Sequence, residues 1–108
     1  MNAYVLLILA IAAEIMATTA LKISNGFSKP IPSVVVILGY SAAFWLMSLT
    51  LKTLPVSVVY AIWSGLGIIG ITFIGVWIFN ETFGWWHLLG TFFILLGVTL
   101  LNLVTQTT

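Results

Sequence analysis

The 108-residue chain is 62% hydrophobic and 5% charged, whereas soluble domains carry about 25% charged residues. Three basic and two acidic side chains cannot keep so apolar a surface in water, so a soluble globular protein is excluded. A net charge of +1 without a basic run excludes nucleic acid as a partner, and the absence of cysteine excludes disulfides and thiolate metal sites. We therefore expect an integral membrane protein.

The first apolar run, about residues 3–21, contains the carboxylate of Glu14. A charge at membrane depth costs roughly 2.5–3.5 kcal/mol on insertion scales, so such a group usually faces a cavity or a partner. A structural ion pair is the alternative, but no Lys or Arg lies inside another apolar run. Glu14 is therefore expected to be functional. Ala10, Ala17 and Thr18 share its helical face, which predicts space beside the carboxylate.

Three further apolar runs follow, at about residues 33–50, 56–79 and 85–104. Each approaches the roughly 20 residues that cross a hydrocarbon core of about 30 Å as a helix. The breaks between the runs are short, so successive helices should be antiparallel neighbours. The sequence thus predicts an all-α fold, with residues 1–108 forming a single transmembrane domain of four helices.

The third run has an aromatic face, because Tyr60, Trp63 and Gly67 share helical spacing. Tyr40 in the second run and Tyr4 in the first add two more hydroxyl-bearing rings. The face of an aromatic ring attracts cations, by about 2 kcal/mol or more when desolvated. Lipid contact or helix packing is the alternative explanation for such rings. Together with an unpaired acid, they predict a cage for a large hydrophobic cation.

Glycines mark the third and fourth runs. Gly65 and Gly67 belong to a G-x-G-x-x-G sequence, but no strand precedes it, so a dinucleotide site is rejected and a helix hinge is expected. Gly90 and Gly97 lie on one face of the fourth run, where small residues let helices approach closely. This face is expected to be the contact of a homodimer, and packing within one protomer is the alternative.

The lysines do not fix an orientation in the membrane. Lys52 falls on one side, and Lys22 and Lys29 fall on the other, a bias too small to decide topology by the positive-inside rule. The chain can therefore insert both ways round. Insertion in both directions would allow an antiparallel homodimer.

Catalytic groups are scarce in this sequence. It has one His, no Cys and two acids in separate surroundings, so neither a catalytic triad nor a metal cluster can be assembled. We expect no enzyme activity, no cofactor and no metal. For His87, at the start of the fourth run, an interfacial position is favoured over a proton relay. A non-transporting membrane subunit, with Glu14 paired to another protein's base, is the alternative to a transporter.

Matches to one known family are spread along the whole chain. The most specific is Tyr-Ala-Ile-Trp-Ser-Gly-Leu-Gly at residues 60–67. The others are residues 13–22, residues 24–32, Leu54 with Pro55, and Gly90 with Gly97. On these residues the chain resembles the small multidrug resistance transporters.

The resemblance implies a four-helix protomer in an antiparallel, dual-topology homodimer of the bacterial inner membrane. It also implies export of hydrophobic or quaternary ammonium cations in exchange for protons, with membrane lipid around the dimer. By this resemblance Glu14 binds both proton and substrate, Gly65 and Gly67 form the hinge, and Gly90 and Gly97 form the dimer contact. The other residues expected at the substrate are Trp63, Tyr60, Tyr40, Tyr4, Thr18, Ala10 and Ala17.

Ala17 and Tyr40 favour the drug-exporting branch of that family. Members resembling guanidinium exporters usually carry a Trp three positions after the carboxylate and lack the second-helix Tyr. Export of guanidinium or another small cation is the alternative within the family. Ala43 stands where a drug exporter of the family has a hydroxyl, so one hydrogen-bond partner of the acid is expected to be missing.

Overall fold

The computed structural model describes residues 2–107. Within this range it has no strand and four α-helices: α1 (Ala3–Ile23), α2 (Pro30–Thr50), α3 (Val56–Trp77) and α4 (Trp85–Thr107). All four helices are long and apolar enough to cross a membrane. The predicted four-helix membrane fold is therefore confirmed. The grouping into a single domain and the antiparallel homodimer stay predictions.

The helix ends differ from the sequence-based bounds by two or three residues. α1 continues to Ile23, α3 already ends at Trp77, and α2 begins at Pro30 rather than residue 33. Lys29 is extended, and its carbonyl accepts the first helical hydrogen bond of α2, from the Ser33 N–H at 3.1 Å. The N–H groups in the first turn of a helix have no acceptor within the helix, so the prolines of this turn remove no backbone hydrogen bond of α2.

A compact turn built on Ser24 joins α1 to α2. The buried Ser24 hydroxyl donates to the Leu21 carbonyl at 2.7 Å and accepts from the Phe27 N–H at 3.1 Å. Asn25, Gly26 and Phe27 all have positive φ, of 49°, 71° and 66°. Of these three residues, only Gly26 adopts a positive φ without a steric cost. The hydrogen bonds of Ser24 therefore hold Asn25 and Phe27 in this conformation.

The α1–α2 pair packs closely at Gly39. A Cβ atom at Gly39 would lie 2.8 Å from the Cβ of Ala17 and 3.4 Å from the carbonyl oxygen of Ala13. Only glycine fits this contact without a shift of one helix. Close approach through small residues is the usual basis of helix association in a bilayer, where the hydrophobic effect gives no preference between lipid and helix. The contact fixes how α2 is rotated against α1.

The connection between α3 and α4 is held at both of its ends. The Glu81 N–H donates to the Gly75 carbonyl at 2.9 Å, with Asn80 at a positive φ of 56°. The Glu81 carboxylate lies against Gly75 where a Cβ would otherwise be. At the other end, the Gly84 N–H donates to Nδ1 of His87 at 3.1 Å. The exposed His87 ring thus caps the start of α4 in the manner of a capping box.

Candidate functional site

Glu14 lies almost at the centre of α1, since Ala3–Ile23 has its midpoint at residue 13. A helix of 21 residues is about 31 Å long, which matches the hydrocarbon core, so Glu14 falls near the bilayer midplane. Its side chain is partly buried. Lys22, the only basic residue of this helix, follows a further eight residues along the chain, about 12 Å along the axis.

Two hydroxyl groups connect Glu14 to α2. Thr18 Oγ1 donates to Oε1 of Glu14 at 3.0 Å, and the same Oγ1 lies 2.6 Å from the Tyr40 hydroxyl. A threonine hydroxyl has a single hydrogen, so Tyr40 donates to Thr18 while Thr18 donates to Glu14. We call this arrangement of Tyr40, Thr18 and Glu14 the hydroxyl chain. It presents the carboxylate with a neutral donor, and no cation takes part in it.

Helix geometry explains where each member of the hydroxyl chain stands. Thr18 follows Glu14 by four residues, so both lie on one face of α1. Tyr40 comes directly after Gly39, whose close contact with α1 brings the phenol within reach of Thr18. The Tyr40 ring is also stacked on Phe44, with ring centroids 6.2 Å apart and an angle of 21° between the planes.

Gly39 and Phe44 are positioning residues that the sequence analysis missed. A signal for Gly39 was available, because Ala13 and Ala17 on α1 and a lone glycine within the apolar run of α2 are typical of close helix packing. The sequence alone does not give which residues of two helices face each other. Phe44 had no such signal, since an aromatic residue four positions after another is ordinary in a membrane helix.

Ala10 and Ala17 have a different setting from the open space predicted beside the carboxylate. Both side chains are fully buried, and Ala17 lies against Gly39 of α2. Ala43, where a hydroxyl was expected to be missing, is a fully buried methyl group. These small residues pack the helix pair, and contact of Ala10 and Ala17 with a substrate stays a prediction.

Tyr4 stands apart from the hydroxyl chain. It precedes Glu14 by ten residues, which places it about 15 Å away along α1. Its ring is 46% exposed, and its backbone N–H is capped by the Asn2 side chain at 2.7 Å. The structure therefore does not bring Tyr4 to the carboxylate of the same helix.

Tyr60, Trp63 and Gly67 all lie on α3. Tyr60 is 64% exposed and Trp63 is partly exposed. A Cβ at Gly67 would lie 3.9 Å from Cδ1 of Trp63, so this edge of the indole lies beside the glycine. α3 continues without interruption through Gly65 and Gly67. The hinge and the cation contact at these rings both stay predictions.

Gly90 and Gly97 present an open surface on α4. A Cβ atom added at either position would have no neighbour within 4 Å among the described residues. Such a surface can accept a second helix at close range. The dimer contact at these two glycines stays a prediction.

Comparison with known proteins matches one family along almost the whole chain. The family described as Small Multidrug Resistance protein matches residues 2–100. Quaternary ammonium compound-resistance protein QacE of Escherichia coli is 45% identical over 106 residues, which cover 98% of this chain and 96% of that protein. The corresponding protein QacF of Klebsiella aerogenes is 43% identical over 107 residues, 98% of this chain and 96% of its own length. Multidrug resistance protein EbrA of Bacillus subtilis is 46% identical over 99 residues, with coverages of 92% and 94%.

The hydroxyl chain makes a prediction about energetic coupling between α1 and α2. Thr18→Val and Tyr40→Phe each remove one end of the 2.6 Å contact, so together they should destabilise the protein little more than Thr18→Val alone. We expect a coupling of about 1 kcal/mol in a double-mutant cycle, measured by equilibrium unfolding of the detergent-solubilised protein.

Thr19 supplies the matched control for this cycle. Its hydroxyl donates only to the carbonyl of Ile15 on its own helix, at 2.8 Å. Thr19→Val and Tyr40→Phe should therefore add within about 0.5 kcal/mol. Additivity in the Thr18 cycle as well would contradict the hydroxyl chain.

Proposed function

The chain belongs to the small multidrug resistance family, and on that basis we propose that it exports lipophilic and quaternary ammonium cations in exchange for protons. Its four spanning helices and bacterial relatives make it a multi-pass protein of the bacterial inner membrane. The relatives are named for resistance to quaternary ammonium compounds and multiple drugs, which supports the same class of substrate here.

The observation that carries the proposal is the setting of Glu14. It is an acid near the midplane of a spanning helix, and its hydrogen-bond donor is the neutral Thr18 hydroxyl. A membrane carboxylate whose partner is neutral keeps its charge available for a ligand, whereas an acid that served a structural ion pair would not. Both a proton and an organic cation can take that place. They cannot take it together, because protonation removes the negative charge.

Competition between the proton and the cation for Glu14 produces exchange if the protein can reorient only when one of them is bound. In a homodimer two Glu14 side chains serve one chamber, and they bind either protons or one lipophilic cation. Reorientation with one of these ligands bound, but not with the chamber empty, couples cation export to proton entry. In an antiparallel dimer the two orientations are the same structure with the protomer roles exchanged, so neither is favoured without ligand.

The hydroxyl chain gives the carboxylate a fixed geometry during this exchange. While Glu14 is ionised, Thr18 donates to it and Tyr40 donates to Thr18. When Glu14 carries the proton, its own O–H can donate to Thr18, and the same three oxygens stay connected with the donor order reversed. We propose that the hydroxyl chain lets the carboxyl group of Glu14 change protonation state without losing its hydrogen-bonded position.

Trp63 is proposed to supply the aromatic surface for the cation. Its indole is partly exposed, and Cδ1 of the ring lies beside the small Gly67. Stacking on an indole favours large, weakly hydrated cations. Guanidinium is the competing substrate class, and it depends less on such a surface because it is small and forms hydrogen bonds.

Glu14→Gln should abolish proton-driven export, because an amide carries neither the negative charge nor the exchangeable proton. We expect efflux of a quaternary ammonium dye from proteoliposomes with an imposed pH gradient to fall to the rate of protein-free liposomes. Glu81→Gln is the matched control, since Glu81 lies in the α3–α4 connection, and it should keep the wild-type rate. Efflux that survives Glu14→Gln would refute the exchange scheme.

Trp63→Leu should separate the two substrate classes. Loss of a desolvated cation–π contact of about 2 kcal/mol corresponds to roughly thirtyfold weaker binding of tetraphenylphosphonium. Guanidinium binding should change less than about threefold in the same titration, as should tetraphenylphosphonium binding by a Trp45→Leu control on α2. Equal losses for both cations would contradict the stacking role of Trp63.

A further inference from the structure

α3 and α4 pack closely near the middle of both helices. A Cβ atom at the buried Gly65 would lie 3.3 Å from Cγ2 of Val98 and 3.4 Å from Cδ2 of Leu95, so two α4 side chains pack against the α3 backbone there. Between this contact and the connecting loop, an open apolar cleft is lined by residues of both helices. The pair is therefore closed at Gly65 and open at the end where α3 stops and α4 begins.

The open end contains an apolar cleft of about 310 Å³. Its walls include Ile69, Thr72, Phe73, Trp77, Leu88 and Thr91. We call this space the wedge. The two threonines and the indole N–H of Trp77 are the only polar side-chain groups among these residues, so a row of water molecules would find few partners. The chemistry of the walls suits a hydrocarbon.

The position of the wedge matches one leaflet of the bilayer. Trp77 ends α3 and Trp85 begins α4, and both rings are largely exposed at the level where tryptophan prefers the headgroup zone. From Trp77 to Ile69 the wedge follows α3 for eight residues, about 12 Å. Half of the hydrocarbon core is about 15 Å thick. The wedge therefore begins near the headgroups and runs through most of one leaflet.

We propose that the wedge binds one acyl chain of a membrane phospholipid. Its apolar walls are exposed rather than covered by protein: Phe73 is 61% exposed, Phe83 46% and Leu88 49%. These side chains continue the surface that the spanning helices present to lipid, so an acyl chain can enter sideways from the bilayer. An acyl chain that lies along α3 would fill the space that the side chains of α3 and α4 leave open.

A second copy of the protein fits the wedge less well than lipid does. The contact proposed for the homodimer uses Gly90 and Gly97, and a Cβ at either glycine would meet nothing within 4 Å. With 3.6 residues per turn, these glycines lie about 100° or more around α4 from Leu88 and Thr91, which line the wedge. A helix seated on the two glycines would therefore leave the wedge facing the bilayer.

A phosphatidylcholine with a diazirine in the middle of one acyl chain tests the proposal. The full-length protein would be reconstituted with this lipid, irradiated and mapped by mass spectrometry. We expect labelling of Thr72, Leu88 and Thr91 to exceed that of equally exposed apolar residues outside the wedge at least fivefold. Leu88→Trp, which fills the wedge, should lower that labelling at least fivefold, whereas Leu100→Trp on the same helix should leave it unchanged.

Several outcomes would overturn the proposal. Labelling spread evenly over the exposed apolar residues would mean ordinary surrounding lipid, and protection of the wedge together with protein–protein cross-links from position 91 would mean a second copy. If Leu88→Trp does not fold, Thr91→Phe fills the same space and serves in its place. The inference does not rest on the transport proposal, because Glu14→Gln should keep the labelling pattern while it loses export.

Discussion

The cost of placing a carboxylate near the middle of a bilayer constrains the α1–α2 pair. Glu14 keeps a hydrogen-bonded position there because Thr18 donates to it and Tyr40 donates to Thr18. That sequence of donors needs α2 to approach α1 closely, and the approach depends on the missing side chain of Gly39 and on the small Ala17 opposite. A packing contact between two small residues thus determines how the carboxylate of Glu14 is presented.

The α3–α4 pair uses its glycines differently. Gly65 allows close packing near the middle of the pair, while the apolar wedge lies toward the α3–α4 connection, beside the interfacial tryptophans. Gly90 and Gly97 remain uncovered on a separate face of α4. α4 therefore has three kinds of surface: one packed against Gly65, one that lines the wedge, and one that carries Gly90 and Gly97. None of the described side chains of α4 is buried.

Much of this account could be predicted from the sequence. Apolar runs of spanning length gave the four helices, and the four-residue step from Glu14 to Thr18 gave a neighbouring hydroxyl, because helix periodicity is a local property. The Tyr40 contact could not be derived in the same way, since it depends on the rotation of α2 against α1. The start of α2 was misplaced because two prolines in one first turn resemble a break. The wedge could not be predicted, because the sequence does not distinguish an apolar residue packed against another helix from one that lines a cleft.

Proton release on cation binding tests the central claim, that Glu14 binds either a proton or a lipophilic cation. Tetraphenylphosphonium would be added to the purified protein in weakly buffered detergent near neutral pH, with pH recorded alongside binding. We predict that the wild type releases protons in proportion to the cation bound, and that Glu14→Gln releases none. Cation binding by the wild type without proton release would contradict the account, because the two ligands would then not share the carboxylate.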